Sequence, residues 1–308
     1  TQSGYPFRVF TPYKNAWLKR LDPEEIREYR PNVKKLSPIK LINDVIQNRD
    51  LDAIGFKKNT LLIEPGEREA GKRLSRFLKK IDQYSDVRDY PAIEGTSGLS
   101  IHLRFGTMSI RKLVRAALKR DSKGAKVWLS ELIWRDFYQM ILDRFPRVVD
   151  QAFIPKYNQI QWPGSNQHFK ACCLGVTGYP LVDAAMRHFN ATGWMHNRLR
   201  MVVASFFVKD LLVDWKKGEA YFARYLLDYD QAANNGGWQW SASTGCDAQP
   251  WFRIFNPVTQ SKRFDPQGEF IRQFIPELKN YSDKDIHFPS ATNKEAQKKA
   301  GCLIGEHY

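Results

Sequence analysis

Apolar residues recur every three or four positions along the chain from Gly66 onward. Residues 67–84, 125–145, 180–190 and 195–215 carry this spacing, which is the period of one face of an α-helix. No run of alternating β-branched residues, the pattern typical of strands, competes with it. The sequence therefore predicts a mainly α fold.

Local signals place several helix ends. Ser109 is predicted to be the N-cap of a helix, and Pro146 to stop the helix over 125–145. Another helix is predicted to start near Ile101. Residues 191–193 are expected to form the turn between two further helices.

The first 65 residues differ from the rest because they carry six prolines and little periodicity. These are Pro6, Pro12, Pro23, Pro31, Pro38 and Pro65. Proline interrupts regular structure, so residues 1–65 are predicted to be an irregular interdomain linker and residues 66–308 a single helical domain. The chain opens at Thr1 without a methionine, and we expect an excerpt of a longer protein.

Charge and cysteine usage narrow the class of protein. The 308 residues carry a net charge of +15, which favours a polyanionic partner such as nucleic acid, although a basic protein without such a partner would look the same. The four cysteines lack the spacing of a zinc site or a disulfide framework, so we expect no metal and a reducing intracellular compartment. The apolar stretches are too short to cross a membrane, and no secretory signal opens the chain.

Residues 226–257 combine paired acids, paired Asn, paired Gly and three tryptophans. Gly236 and Gly237 allow a flat group to approach closely. Asn234 and Asn235 supply hydrogen-bond donors and acceptors, and the indoles supply π faces. Because this composition is poor core material, the segment is predicted to line a pocket for an aromatic ligand.

Two earlier segments carry further polar chemistry. Residues 90–100 gather Gly, Ser and Thr just before a predicted helix, where free backbone N–H groups suit a phosphate, although a ligand-free cap is the commoner structure. In the helix over 128–138, Trp128, Glu131 and Arg135 share one face. That face indicates either a binding surface or an ordinary ion pair four residues apart.

Residues 193–201 combine an amide, two guanidinium groups and a thioether, namely Asn197, Arg198, Arg200 and Met201. Such a set can hold a heterocycle and a nearby phosphodiester, and it can equally be the solvated start of a basic helix. Asp228 and Asp230 are candidate acid–base groups, metal ligands or partners of Arg200. Metal is the least favoured of these because no histidine joins them at ligand spacing.

Six strings of this sequence, in this order, resemble the photolyase/cryptochrome family: EGTSGLS, WLSELIWRDFY, TGYPLVDAAMR, TGWMHNRLRM, DYDQAANNGGWQWSASTG and FRIFNP. The resemblance covers nearly the whole chain and is strongest to class I cyclobutane pyrimidine dimer photolyases. It implies the family's helical FAD-binding and DNA-binding catalytic domain over 66–308, preceded by the interdomain linker. The family's N-terminal α/β antenna domain is absent from this sequence.

The resemblance implies a bent FAD cofactor that is active as FADH⁻. The residues implied to hold the FAD phosphates are Tyr84, Thr96, Ser97, Gly98, Leu99 and Ser100. The other implied cofactor-binding residues are Trp128, Arg135, Asn197, Arg200, Asp228, Tyr229, Asp230 and Asn234. Of these, Arg200 would pair with Asp228 beneath the flavin ring, and the neutral amide of Asn234 would lie beside flavin N5.

Catalytic and DNA-binding roles are also implied by the resemblance. Glu131 would hydrogen-bond a flipped-out dimer, and Trp238, Trp215 and Trp162 would form the relay that photoreduces oxidised flavin, with core packing as the alternative for these indoles. The residues implied to contact DNA or the lesion are Arg88, Glu131, Trp134, Tyr138, Asn197, Arg198, Met201, Trp240, Arg253 and Gln260.

The implied activity is that of a deoxyribodipyrimidine photo-lyase, in which photoexcited FADH⁻ passes an electron to a cyclobutane pyrimidine dimer in DNA and the dimer splits. A blue-light flavin photoreceptor without repair is the alternative. Asn234 and Trp240 favour repair. A 6-4 photolyase is expected to carry a histidine at the position of Asn197 and another near Met201, and this chain has neither. We expect a monomer in the bacterial cytoplasm or nucleoid, with any second antenna chromophore bound only by a longer protein.

Overall fold

The computed structural model describes residues 4–29, 32–36, 52, 55–56 and 63–308. No β-strand occurs within these residues, so the prediction of a mainly α fold is confirmed. The helices in chain order are α1 (Phe10–Arg20), α2 (Glu67–Leu78), α3 (Tyr84–Val87), α4 (Ser100–Arg104), α5 (Ile110–Leu118), α6 (Lys123–Arg144), α7 (Asn166–Leu174), α8 (Pro180–Thr192), α9 (Asn197–Ser205), α10 (Trp215–Tyr225), α11 (Gln231–Ala242), α12 (Pro257–Phe264), α13 (Glu269–Phe274) and α14 (Lys294–Ala300).

Two hydrophobic clusters form the core. One contains buried residues of α2, α5 and α6, such as Leu74, Leu113 and Phe137. The other contains buried residues of α8 to α11, such as Phe189 and Phe222. Because α6 packs directly on α11, these two helices join the two clusters.

Several predicted helix ends are confirmed. α5 starts directly after Ser109, although the Ser109 side chain makes no capping hydrogen bond. α6 ends before Pro146, and α4 begins at Ser100, next to Ile101. α8 ends at Gly193, whose φ of 68° is the left-handed conformation that favours glycine at a helix end.

The prediction of one helix over 67–84 is wrong in its second half. α2 ends at Leu78, and the chain continues through a 3-10 turn, Ile81–Gln83, into α3. A Cβ atom on Gly124 would lie 2.1 Å from the carbonyl oxygen of Ile81. The α6 backbone therefore touches the chain at this break, and such close packing leaves no mark in the local sequence.

The prediction of one helix over 195–215 is also wrong. α9 ends at Ser205, a π-helical turn follows over Phe206–Asp210, and α10 begins at Trp215. Leu212 between them has a φ of 53°, and its carbonyl oxygen accepts a hydrogen bond of 2.9 Å from the Gly164 N–H. This distant contact helps to hold the chain in the break, which apolar periodicity alone does not reveal.

Within the predicted linker, Phe10–Arg20 is helical rather than irregular. Pro12 is compatible with this helix because it lies in the first turn, where a backbone N–H has no partner to lose. Residues 1–3, 30–31, 37–51, 53–54 and 57–62 lie outside the described residues, so the linker as a whole stays a prediction.

Candidate functional site

A buried ion pair lies where α9 meets the segment before α11. Arg200 Nη2 donates to Asp228 Oδ2 at 2.7 Å, and Arg200 Nε donates to the carbonyl oxygen of Met195 at 2.8 Å. The Asp228 side chain is 2% exposed, and its Oδ1 is buried without a hydrogen-bond partner in the protein. The expected pairing of Arg200 with Asp228 is present, and one carboxylate oxygen remains available to a ligand donor.

Asp230 ties α6 to α11. Its carboxylate accepts two hydrogen bonds from Gln139 Nε2, at 2.8 and 2.9 Å, and caps α11 by accepting from the Ala233 N–H at 3.1 Å. Arg135 Nη2 lies 3.5 Å from the same carboxylate. Arg135 therefore pairs with Asp230 on α11, and the ordinary ion pair with Glu131 within α6 is not the arrangement adopted.

A chain of alternating charges runs from α6 to α9. Glu131 Oε1 accepts from Arg88 Nη1 at 2.6 Å, Arg88 Nε lies 3.8 Å from Asp89 Oδ1, and Asp89 Oδ2 accepts from Arg198 Nη2 at 2.8 Å. Although burial lowers it, the pKa of Arg88 is raised overall because Glu131, Tyr84 and Asp89 favour the charged guanidinium. Arg88, Glu131 and Arg198, all expected near the lesion, therefore belong to one ionic network.

The two neighbouring asparagines of α11 have different surroundings. Asn234 Nδ2 donates to the Glu219 side chain at 2.9 Å and to its backbone carbonyl at 3.2 Å. Asn235 is buried, and its amide donates to the Val148 carbonyl at 2.9 Å. The prediction that both asparagines line a pocket is therefore wrong for Asn235, which fastens α11 to the turn after α6.

The segment 226–257 is also better core material than its composition indicates. Gln239 and Ser241 are 1% exposed and Thr244 is fully buried. Gln239 Nε2 donates to the Val148 and Gln151 carbonyls, at 2.9 and 3.1 Å, so its polar atoms are satisfied inside the protein. The side chains of Asn234 and Trp240 remain partly open.

The turn at residues 96–100 lies against α2 and α8–α9. Gly98 has a φ of 60°, and the Arg73 Nη1 atom lies 3.1 Å from the position of a Cβ atom at Gly98. Ser100 Oγ accepts from Trp194 Nε1 at 3.2 Å. Leu99 is 1% exposed and packs inside the protein, whereas Thr96, Ser97 and Gly98 are partly open.

Tyr84 and Trp128 are buried against the same phenylalanine. Phe77 contacts Tyr84 edge-on at 5.7 Å and Trp128 at 4.9 Å between ring centroids. Burial is the main cause that raises the pKa of Tyr84 above its usual range, so its hydroxyl is protonated at neutral pH. Both rings belong to the same hydrophobic cluster as Leu99 of the turn at 96–100, and little of either is open to solvent.

Aromatic rings border the open part of the site. Trp134 and Tyr138 lie one turn apart in α6, with centroids 5.5 Å apart, and Trp240 of α11 contacts Phe255 at 6.4 Å. A Cβ atom on Gly236 would lie 2.2 Å from the Tyr138 ring. The flat group that Gly236 admits is thus the protein's own Tyr138.

The three tryptophans of the expected relay share one part of the core. Trp238 and Trp215 are each 3% exposed, and the partly buried Trp162 packs on the same cluster. Trp238 contacts Phe222 edge-on at 5.1 Å and Phe207 at 5.5 Å. Their packing into the core is established by these contacts, and their relay role stays a prediction.

The remaining expected DNA contacts lie towards the surface. Asn197 is exposed, with its Nδ2 4.0 Å from Met201 Sδ. Arg253 lies in an exposed loop with its guanidinium 5.6 Å from the Phe255 ring centroid, and Gln260 is partly buried in α12. Tyr229, expected near the cofactor, donates to Glu219 Oε1 at 3.4 Å.

Sequence reasoning missed several residues that hold this site together. Gln139 could have been found, because it follows Arg135 by four residues on the α6 face that meets Asp230. Asp89, Glu219 and His196 carry no comparable local signal, since each meets its partners only through the packing of separate helices.

His196 is a buried neutral imidazole at the start of α9. Its Nδ1 accepts a hydrogen bond from the Arg198 N–H at 3.2 Å, and its Nε2 is buried without a partner. Burial, together with Arg198, Arg200 and Arg88, lowers its pKa to about 4, while Asp89 opposes this shift.

The described residues contain neither a metal-binding cluster nor a membrane-spanning helix. No group of three or more His, Cys, Asp or Glu side chains is placed to hold a metal ion. Among the helices described, none is long and apolar enough to span a bilayer.

A family model and a curated relative that match this chain both describe DNA photolyases. Residues 128–308 match the family described as the FAD binding domain of DNA photolyase. The deoxyribodipyrimidine photo-lyase of Vibrio cholerae is 45% identical over 295 residues, a stretch that covers 94% of this chain and 63% of that protein. The chain therefore spans less than two thirds of this relative.

Solved structures share the fold. A class III photolyase from Agrobacterium tumefaciens superposes with a TM-score of 0.87 at 36% identity, covering 100% of this chain and 65% of that one. A cryptochrome from Synechocystis gives a TM-score of 0.84 at 30% identity, covering 98% of this chain and 65% of that one. The fold is thus shared by photolyases and a cryptochrome, and the side chains of the site must distinguish the two functions.

Proposed function

The chain belongs to the DNA photolyase family through its FAD-binding domain, and we propose that it repairs cyclobutane pyrimidine dimers in DNA with the energy of light. The observation that carries the proposal is a polar centre: the Arg200–Asp228 pair, whose Asp228 Oδ1 has no protein partner, and Asn234 of α11, the helix that packs on α9. Helices α6 and α11, which pack on each other, present the partly open indoles Trp134 and Trp240. A flavin site next to aromatic walls is what light-driven repair of a flipped-out base requires.

The residues of the polar centre fit FAD. Asp228 Oδ1 is a buried acceptor without a protein partner, which suits a ring N–H of a flavin. Asn234 donates its amide N–H to Glu219, which leaves the amide oxygen to accept from the ligand. The Arg200 guanidinium supplies a fixed positive charge that favours an anionic, reduced ring.

When bound, reduced FAD supplies the light-excited electron that opens the cyclobutane ring. The protein groups bind, orient and exclude water. Glu131, whose carboxylate accepts a hydrogen bond of 2.6 Å from Arg88, is the residue that we expect to hydrogen-bond the pyrimidine edge. Trp134 and Trp240 provide apolar surfaces for the flipped-out dimer, and the Asn197–Met201 pair lies at the start of α9 beside Arg198.

DNA is the proposed partner, and the net positive charge of the chain supports this proposal. A net charge of +15 and exposed cations such as Arg253 suit phosphate contacts, which position a protein on DNA without specifying sequence. Binding should weaken at least tenfold over a fourfold rise in salt if several phosphates are contacted. Action on chromosomal DNA places the protein in the cytoplasm or nucleoid of a bacterium, and we expect it to work as a monomer.

The test is dimer removal from an irradiated oligonucleotide by the FAD-loaded, reduced protein, in light and in darkness. Repair in light only supports the proposal. Glu131→Ala should lower the repair yield more than it lowers DNA binding, whereas Glu295→Ala, an exposed acid on α14, should change neither. A protein that binds flavin and DNA but never removes dimers would be a photoreceptor, and the repair proposal would be wrong.

A further inference from the structure

Helix α1 packs against α6, the helix that carries Glu131 and Trp134. The Phe10 ring lies parallel to the Trp134 indole, with ring centroids 3.7 Å apart and planes within 7°. Phe10 is 6% exposed, whereas Trp134 remains partly open. Phe10 therefore covers one face of the indole, and what remains open is the surface that a ligand would meet.

Helix α6 and the loop after α11 hold α1 in place. Asp136 of α6 accepts hydrogen bonds from Tyr13 Oη at 2.5 Å and Trp17 Nε1 at 3.0 Å. Asp247, in the loop that follows α11, accepts from the Phe10 backbone N–H at 3.0 Å. α1 therefore links the helix of Trp134 to the loop that follows the helix of Trp240.

The geometry of the stack shows that it is imposed by these surroundings. Isolated aromatic pairs prefer offset or edge-to-face arrangements to a direct face-to-face stack. Phe137 lies edge-on to both rings, at 5.8 Å from Phe10 and 5.6 Å from Trp134. With one face covered by Phe10 and an edge blocked by Phe137, the Trp134 indole has little freedom to rotate towards α1.

We propose that Phe10 is a positioning residue for Trp134, and that α1 thereby sets how well the pocket distinguishes a dimer from undamaged DNA. The inference rests on the proposed repair function. A wall that is rigid before the substrate arrives loses less conformational freedom on binding and holds the dimer in one orientation. Phe10 acts only through Trp134 and touches no substrate itself.

The test measures the ratio of affinities for dimer-containing and undamaged DNA with the FAD-loaded protein. Phe10→Leu keeps an apolar side chain but removes the flat ring, and the ratio should fall about threefold to tenfold, the size of one aromatic pair. Phe10→Tyr should restore it. In a Trp134→Ala background Phe10→Leu should cause no further loss, because the residue through which it acts is gone.

Two further variants complete the design. Asp247→Gly removes the carboxylate that holds Phe10 but suits the φ of 47° at that position, so it should lower the ratio by a smaller factor, even if Phe10→Leu fails to fold. Leu18→Ala, on the same helix and 41% exposed, should leave the ratio unchanged. An unchanged ratio in Phe10→Leu, or an equal loss in both backgrounds, would overturn the proposal.

Failure of the repair function is distinguishable from failure of this inference. If the unaltered protein neither repairs nor prefers dimers, acrylamide quenching of tryptophan fluorescence still reports how accessible Trp134 is. The contribution of Trp134 is the difference in quenching between each protein and its Trp134→Phe counterpart. Phe10→Leu should increase this quenching. If quenching stays unchanged, Phe10 does not position Trp134.

Discussion

The Arg200–Asp228 pair is the residue-scale feature on which the cofactor site depends. Its two members differ in solvent exposure, because the Asp228 side chain is 2% exposed and the Arg200 side chain is 29% exposed. Arg200→Met leaves a buried carboxylate without a counter-ion, and we expect a loss of about 3–5 kcal/mol in the free energy of unfolding. Asp228→Asn should cost less, since water can still reach Arg200. Urea unfolding of the FAD-free variants checks this order, and a larger cost for Asp228→Asn would contradict it.

His196 gives the protein a defined response to acid. Its folded pKa of about 4 lies below the ordinary 6.5, so between these values the unfolded chain binds a proton that the folded chain does not. Stability from this residue is therefore present above pH 6.5 and falls as the pH drops towards 4, by up to about 3 kcal/mol.

The variant His196→Asn isolates this effect, because asparagine can still accept a hydrogen bond from the Arg198 N–H at the helix start. Other buried histidines such as His102 and His287 also have a lowered pKa, and they stay in both proteins. The unfolding free energy of the variant should fall less steeply between pH 6.5 and 4. Parallel pH profiles for the two proteins would show that His196 does not titrate as described.

Residue types were readable from the sequence, but the orientation of their side chains was not. The pairing of Arg200 with Asp228 was implied by the family resemblance, and the structure shows it. The sequence around Asn234 and Asn235 did not show that the Asn234 amide would bind Glu219 and that the Asn235 amide would bind the Val148 carbonyl. That distinction depends on the rotation of α11 about its axis, which is set by packing on α6 and α10.

At the scale of the element, α11 offers a matched pair of glycines. A Cβ atom at Gly236 would lie 2.2 Å from the Tyr138 ring, whereas nothing lies within 4 Å of one at Gly237. Gly237→Ala should therefore stabilise the FAD-free protein by about 0.5–1 kcal/mol, the usual advantage of alanine within a helix. Gly236→Ala should destabilise it by about 1–3 kcal/mol through overpacking.

Thermal or urea unfolding of the two alanine variants checks this prediction directly. Equal effects of the two substitutions would mean that Tyr138 does not pack on Gly236 as described. A stabilising effect of Gly236→Ala would contradict the close approach of α6 and α11 on which the site depends.

Helix positions were largely predictable, while helix breaks were not. Apolar spacing and end signals such as Ser109 and Pro146 placed α5 and α6 to within a few residues. The breaks after Leu78 and Ser205 arise where Gly124 and Gly164 bring distant backbone into contact. Periodicity continues through such breaks, because the residues on both sides remain buried in the same core.

At the scale of the whole molecule, the buried tryptophans provide a prediction about electron transfer. Trp238→Phe should slow the photoreduction of oxidised FAD, because phenylalanine keeps the packing on Phe222 but is much harder to oxidise. Repair by protein that is already reduced should stay nearly intact. Transient absorption after blue-light excitation, beside a repair assay under reducing conditions, separates the two. An equal loss of both would contradict a relay role for Trp238.

The architecture as a whole could be predicted as far as its class and its central segment. The mainly α fold was predictable from apolar periodicity, and the association of residues 193–201 with residues 228–240 only from the family resemblance. The role of α1 was not, since the contact between Phe10 and Trp134 joins positions 124 residues apart in the sequence. Long-range packing of this kind leaves no local pattern.

The central claim is that Arg200, Asp228 and Asn234 hold a flavin inside the helical domain. The most direct measurement is a titration of the purified FAD-free protein with FAD, followed by flavin absorption and fluorescence. We expect saturation at one FAD per chain with a protein-bound flavin spectrum, and much weaker binding by Arg200→Met. A flavin spectrum that stays that of free FAD in solution throughout the titration would contradict the account.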